Sequence, residues 1–242
     1  MPLTTDDELE ESSVVANRLM NRERRLPSYD RELGIDIVGR LRAAAAPHRP
    51  ARWLDLCCGT ANALNEATTL LGDDAEIVGV DLVDFFACPP RPPRLSLFTG
   101  SVTTWAPEHA GFDLITCVHG LHYVGDKLGV LARIAGWLAA GGLFVANFDV
   151  RSIRLENGGP AGRPLTAALR AQGLAYDGRT RRISRVGGGA VDLPYRYLGA
   201  NDQAGPNYTG QDAVDSHYTR TATEPRAGAG KPIARPIGHP LT

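Results

Sequence analysis

Lysine is almost missing from this chain. Only Lys127 and Lys231 occur, so 24 of the 26 basic residues are arginine. With 27 acidic residues opposing them, the formal net charge is −1. That balance excludes a general nucleic-acid coat or a binder of anionic membranes, since both need a basic excess. Long apolar runs are also missing, so no transmembrane helix is expected. The opening residues, MPLTTDDELEESS, are acidic and polar, unlike a secretory leader. The cysteines are few, and Cys57, Cys58, Cys88 and Cys117 form no CxxC pair. They read as reduced thiols, which points to the cytoplasm. No GxSxG elbow and no metal-ligand spacing are present, so neither a serine nucleophile nor a metal is expected.

Hydrophobic residues, at 43%, suffice for a substantial core. Glycine and proline, 27 and 17 residues, are too many for core alone and concentrate in loops and at the end. From Arg220 onward the chain carries four prolines, three glycines and no apolar periodicity, and it reads as disordered. The expected organisation is a helical lid over residues 1–50, a sheet domain over 51–203, and an extension with a disordered tail over 204–242.

Near the start, Val14, Val15, Leu19 and Met20 suggest a helix that runs into a polar stretch, Asn21–Arg25, closed by Pro27. A second helix is expected over Asp30–Ala46, with Leu33, Ile37, Val38 and Leu41 at helical spacing. The rhythm then becomes strand, turn, helix. Strands are expected at Arg52–Leu56, Glu76–Leu82, Leu95–Thr99, Phe112–Val118 and Leu143–Phe148. Helices are expected at Thr60–Leu71, Asp126–Ala140 and Pro164–Gln172. This alternation implies βαβ units and an α/β fold with a parallel sheet covered on both faces. Two later runs, Arg181–Val186 and Asp192–Leu198, flank Gly187–Gly189 and are expected to pair as an antiparallel hairpin.

Ligands of an open parallel sheet lie beyond the carboxyl ends of its strands. The first strand ends in Asp55-Leu56-Cys57-Cys58-Gly59-Thr60-Ala61, where small residues alternate at 57, 59 and 61. Small side chains admit a ligand close to the backbone, and Gly59 suits a tight turn. A dinucleotide fingerprint would need glycine at 57, 59 and 62, but Cys57 and Asn62 occupy two of these. Asp81 ends the second strand, 22 residues after Gly59, where a carboxylate can accept two ribose hydroxyls. The fourth strand leads into Val118-His119-Gly120-Leu121-His122. A neutral imidazole there, His119 or His122, is a candidate general base.

The segment Leu54–Ala61 resembles the first motif of class I S-adenosylmethionine-dependent methyltransferases, often written LDLGCGTG. Phe112–Ile115 with the Leu121-His122 pair, and Leu138–Phe144, resemble later motifs of the small-molecule branch. The departures are Cys57 and Ala61 for glycine, and Ser101 where an aspartate often meets the adenine amino group. The resemblance implies a Rossmann-like, doubly wound sheet of five parallel strands plus a C-terminal hairpin, the seven-stranded methyltransferase fold. It implies S-adenosylmethionine held by Asp55, Cys57, Gly59, Thr60, Asp81, Leu82, Ser101, Val102 and Val118, with Tyr29 covering it and Arg22 or Arg25 on its carboxylate. The implied reaction is in-line methyl transfer to a small-molecule partner, without nucleic acid or membrane. The rival readings are an NAD(P)-dependent oxidoreductase and a nonenzymatic interaction protein that binds S-adenosylmethionine or a nucleoside. The segment Asn207–Gln211 with His217 and Tyr218 is expected to fold back over the substrate.

Overall fold

Apolar residues fall on both sides of the central strands, so each strand can be buried on two faces at once. In the computed structural model, which describes residues 3–15 and 24–221, this produces ten strands and six α-helices. Strands β1 (Ala51–Leu56), β2 (Ala75–Asp81), β3 (Leu95–Thr99), β4 (Phe112–Cys117) and β5 (Leu138–Asn147) are mutually parallel. Strands β7 (Ala175–Asp177) and β8 (Arg182–Val186) complete a seven-stranded sheet of order β3-β2-β1-β4-β5-β8-β7. β8 runs antiparallel to both of its neighbours. The strand order reverses between β1 and β4, which opens a crevice at their carboxyl ends.

The two faces carry separate cores. Trp53, Ile77 and Leu114 pack under α2 (Leu26–Leu33), α3 (Ile37–Ala44) and α4 (Asn62–Leu71). Their chain neighbours Leu54 and Ile115 point the other way, toward α5 (Lys127–Trp137) and α6 (Gly162–Ala171). No helix among the described residues is long and apolar enough to cross a membrane.

Three expectations change. The helix expected over Asp30–Ala46 is two helices. Gly34, at φ 68°, ends α2 in the left-handed conformation, and Asp36 starts α3 by accepting the Gly39 N–H at 2.8 Å. Pro27 opens α2 rather than closing a helix, since a first-turn proline loses no hydrogen bond. At the start of the chain, a short helix α1 (Asp6–Glu10) is capped by a reciprocal Thr5–Glu8 box. The proposed helical residues Leu19 and Met20 lie outside the described residues.

The third change concerns the hairpin. Arg182–Val186 pairs with Ala175–Asp177, not with the later run. Gly187, Gly188 and Gly189 do not turn back; their N–H groups donate to Gly142, Ala139 and Ala135. A Cβ at Gly188 would sit 2.3 Å from the Leu138 carbonyl, so these glycines allow close backbone approach instead of a turn. The run expected at Asp192–Leu198 becomes β9 (Tyr195–Asn201) of a second sheet, of order β6-β10-β9, with β6 (Ile153–Leu155) and β10 (Asp215–Arg220). The stretch read as an extension after residue 203 therefore contains a strand that is central to this small sheet. The tail from residue 222 lies outside the described residues.

Candidate active site

Strand β1 delivers its last residues to the crevice in a tight turn. Cys57, Gly59 and Ala61 have φ of 57°, 59° and 60°, so all three alternating positions are left-handed. Only Gly59 adopts this freely; the other two carry a Cβ at a cost of roughly 1–2 kcal/mol each. The turn closes on itself. The Cys58 N–H donates to Val80 (3.0 Å), the Ala61 N–H to Cys58 (3.1 Å), and the Gly59 N–H to Asp81 Oδ2 (2.7 Å). Three amides that might otherwise cradle a phosphate are thus already used. Asp81 also accepts the Val83 N–H through Oδ1 at 3.2 Å, and burial raises its pKa.

Above the turn lies an open cleft of ≈ 820 Å³, including its solvent-facing mouth. Cys57, Asp81, Leu82, Ser101, Val102, Val118 and His119 line it together, from four different strand ends. Helix α1 crosses the opening and contributes Asp6, Leu9 and Glu10. The Ser101 hydroxyl bonds the Glu10 carboxylate and lies 2.7 Å from Thr103 Oγ1. Burial raises the pKa of both Asp6 and Glu10. Arg24 enters from the other side and donates to the Val118 carbonyl at 2.9 Å. Among the described residues the cleft therefore holds three carboxylates and one guanidinium.

Several expected residues lie elsewhere. Asp55 is fully buried behind the turn, accepting from Tyr29 Oη (2.8 Å) and Thr116 Oγ1 (2.5 Å). Tyr29 does not cover the cleft; it is buried edge-on against Trp53, fixed by its bond to Asp55. Gly59 shapes the cleft through Asp81 without lining it. Thr60 accepts the Ala87 N–H through its carbonyl and the Asn62 amide through its hydroxyl. Arg25 pairs with Glu66 at 2.8 Å, away from the cleft, and Asn21 and Arg22 lie outside the described residues.

Burial lifts the Asp55 carboxyl to about 7, against the pull of its two hydroxyl donors. The folded chain then holds a proton that the unfolded chain releases near pH 3.9. Stability from this group is full below that value and is lost as pH rises through 7. Asp55→Asn has no such loss, so its urea stability relative to the wild type should improve from pH 4 to pH 8. A constant difference across that range would show that the carboxyl is not protonated.

The two histidines differ. His119 Nε2 lies 3.2 Å from Glu32 Oε2, while Nδ1 is buried without a hydrogen-bond partner. Burial and then the nearby Arg24 charge lower its pKa, so it is neutral at pH 7. His122 does not line the cleft; it is buried beside it, 5.6 Å from the His119 ring, with Nε2 3.3 Å from Tyr208 Oη. Burial, then the repulsion it would meet from a protonated His119, holds it at about 3. Tyr208 does fold back onto both histidines, under the Arg181 guanidinium at 4.6 Å. His217 and Tyr218 belong to β10, and Tyr218 is buried.

Glu10, Arg24 and Glu32 were missed from sequence. The Thr5-x-x-Glu8 capping box could have located α1 and hence Glu10; no local signal marks the other two.

A family described as "Methyltransferase domain" matches residues 28–179. No curated protein matches the chain in sequence. Among solved structures, it is similar to CalS10, an amino pentose methyltransferase from Micromonospora echinaspora, at 25% identity over 55% of each chain, with a TM-score of 0.38. DesVI from Streptomyces venezuelae is 22% identical over 56% of each chain, with a TM-score of 0.37. The [4+2]-cyclase SpnF is 15% identical over 72% of this chain and 74% of its own, with a TM-score of 0.46. The match spans about half the length of the first of these proteins.

Proposed function

Because this chain belongs to the methyltransferase domain family, we propose that its cleft binds S-adenosylmethionine and that it methylates a small molecule. The observation that carries this reading is the cleft's charge and amide inventory. Among the described residues, Asp6, Glu10 and Asp81 oppose Arg24, and the Gly59 amide is already donated to Asp81. A dinucleotide brings two phosphates that such a surface repels, and three of the turn's amides are already paired within the protein. A cationic sulfonium with an ammonium group is attracted by the same surface.

S-adenosylmethionine supplies a methyl group already activated on sulfur. The chain's own residues then bind and orient. Asp81, held rigid by two backbone N–H groups, takes the ribose hydroxyls. Leu82, Val102 and Val118 bury the adenine faces. Glu10, anchored on Ser101, supplies the carboxylate for the adenine amino group and makes α1 the lid. Arg24 has N–H groups beyond its bond to Val118 for the cofactor's carboxylate. Holding the methyl and the acceptor in line can lower the barrier by on the order of 7–11 kcal/mol at best.

His119 takes the acceptor's proton through Nδ1, with Glu32 fixing the ring. A base of this kind contributes about 10²–10⁴-fold. His119→Ala should lower kcat by about 10²-fold or more while leaving the cofactor's Kd within about threefold. An unchanged kcat would remove His119 from the proton path. Because its pKa is lowered, the rising limb of the wild-type pH–rate profile should lie below the ordinary histidine value near 6.5.

Calorimetry with S-adenosylmethionine, its demethylated product and NADH tests the reading as a whole. Binding of NADH alone would overturn it. Labelled cofactor incubated with a metabolite extract would then identify the acceptor, and binding with no transfer at all would favour a nonenzymatic role.

A further inference from the structure

Behind the histidine pair lies a second cavity, of ≈ 660 Å³ including open space, between the two sheets. Its lining includes His122, Asp149, Arg151, Arg154, Asn207 and Asp215. It meets the first cleft through imidazoles, since His122 lines one cavity and His119 the other.

The hydrogen-bond inventory of this cavity is unbalanced. Asp149 accepts Nε and Nη2 of Arg151, and Nη1 of Arg181 at 2.7 Å. Asp215 accepts Nε of Arg154 at 2.6 Å. Those bonds leave both terminal nitrogens of Arg154, and one of Arg151, without an acceptor among the described residues. Asn207 Oδ1 accepts the Thr209 N–H (2.7 Å) and hydroxyl (2.6 Å), which fixes the orientation of its amide. Its Nδ2 is buried and has no partner. A buried donor left unpaired carries a desolvation cost that a ligand acceptor would remove. Two arginines and two aspartates line the cavity, so their formal charges balance, and the unused donors of Arg154, Arg151 and Asn207 are what favour an acceptor ligand.

We infer that this cavity is an oxyanion site, which takes a carboxylate or phosphate carried by the acceptor and presents the acceptor's other end at the His122–His119 edge. Planar arginine forks suit either oxyanion. That the ligand is the methyl acceptor rests on the methyl-transfer reading; the oxyanion site itself does not.

The test is calorimetry on the full chain, with inorganic phosphate in one arm, acetate in a second and S-adenosylmethionine in a third. The wild type should bind one of the two oxyanions saturably, and that arm identifies the group. Asn207→Asp keeps the bonds from Thr209 but replaces the free donor with a negative charge. It should weaken the oxyanion by about tenfold or more, with S-adenosylmethionine affinity unchanged. If Asn207→Asp does not fold, Arg154→Lys serves, because it keeps the charge beside Asp215 and removes the fork. Absence of binding by either anion, or equal affinity in wild type and variant, overturns the inference. Oxyanion binding without S-adenosylmethionine binding would uphold this site and sink the methyl-transfer reading.

Discussion

Asp81→Ala should raise the Kd for S-adenosylmethionine by about two orders of magnitude or more. A carboxylate that accepts two hydroxyls makes two charge-assisted hydrogen bonds, each worth about 1.5–3 kcal/mol, and tenfold in affinity is about 1.4 kcal/mol. The substitution also releases the Gly59 N–H, which Asp81 holds at 2.7 Å, so the turn loses its anchor. Asp81→Asn separates these effects. Its remaining carbonyl oxygen can still accept one N–H, but the charge is gone, so its loss should be smaller. The demethylated product should weaken in parallel, because it keeps the ribose. Calorimetry on the three proteins measures this, and a change in Kd below about tenfold for Asp81→Ala would place the cofactor elsewhere.

Lys127→Met should destabilise the fold by about 3 kcal/mol near pH 9, read from urea unfolding. Lys127 is 1% exposed, and its Nζ donates to the Val124 carbonyl (2.9 Å), the Val214 carbonyl (2.8 Å) and Ser216 Oγ (2.8 Å). Methionine fills similar volume but leaves buried acceptors unpaired, at about 1–3 kcal/mol each. These bonds stitch β10 to the start of α5, where Tyr218 Oη also meets the Leu128 N–H and Asp126. The Val214 N–H, in turn, donates to the His122 carbonyl. Losing Lys127 therefore loosens the wall between the two cavities.

The pH dependence has a defined sign. Burial lowers the Lys127 pKa to about 7, while in the unfolded chain it is about 10.4. Between those values the unfolded chain binds more protons, so this group's penalty is full below pH 7 and is relieved as pH rises toward 10. The loss in Lys127→Met should accordingly be smaller at pH 6 than at pH 9. An equal loss at both would mean that the buried amine stays protonated throughout.

Much of the sheet was legible because its signals are local. Short apolar runs separated by loops and helical stretches mark β1 to β5, and Asp81 stands out as the carboxylate at the end of one of them. The hairpin was misread because Gly187–Gly189 looks the same in sequence whether it turns or slides along another backbone. Only the carbonyls of Leu138 and Ala140 nearby decide which. The motif position of Asp55 implies a place at the cofactor, and its two hydroxyl donors, Tyr29 and Thr116, come from elements 26 and 61 positions away that no local pattern connects to it.

The amino-acid sequence by itself determined the α/β class, the glycine turn and the carboxylate at the second strand's end, since each depends on residues within a few positions of one another. Tertiary structure decided which groups share the cleft. Glu10 meets Ser101 across 91 positions and Arg24 meets Val118 across 94. At such separations no periodicity connects the partners, and their meeting depends on how helices and sheet edges pack once the core has formed.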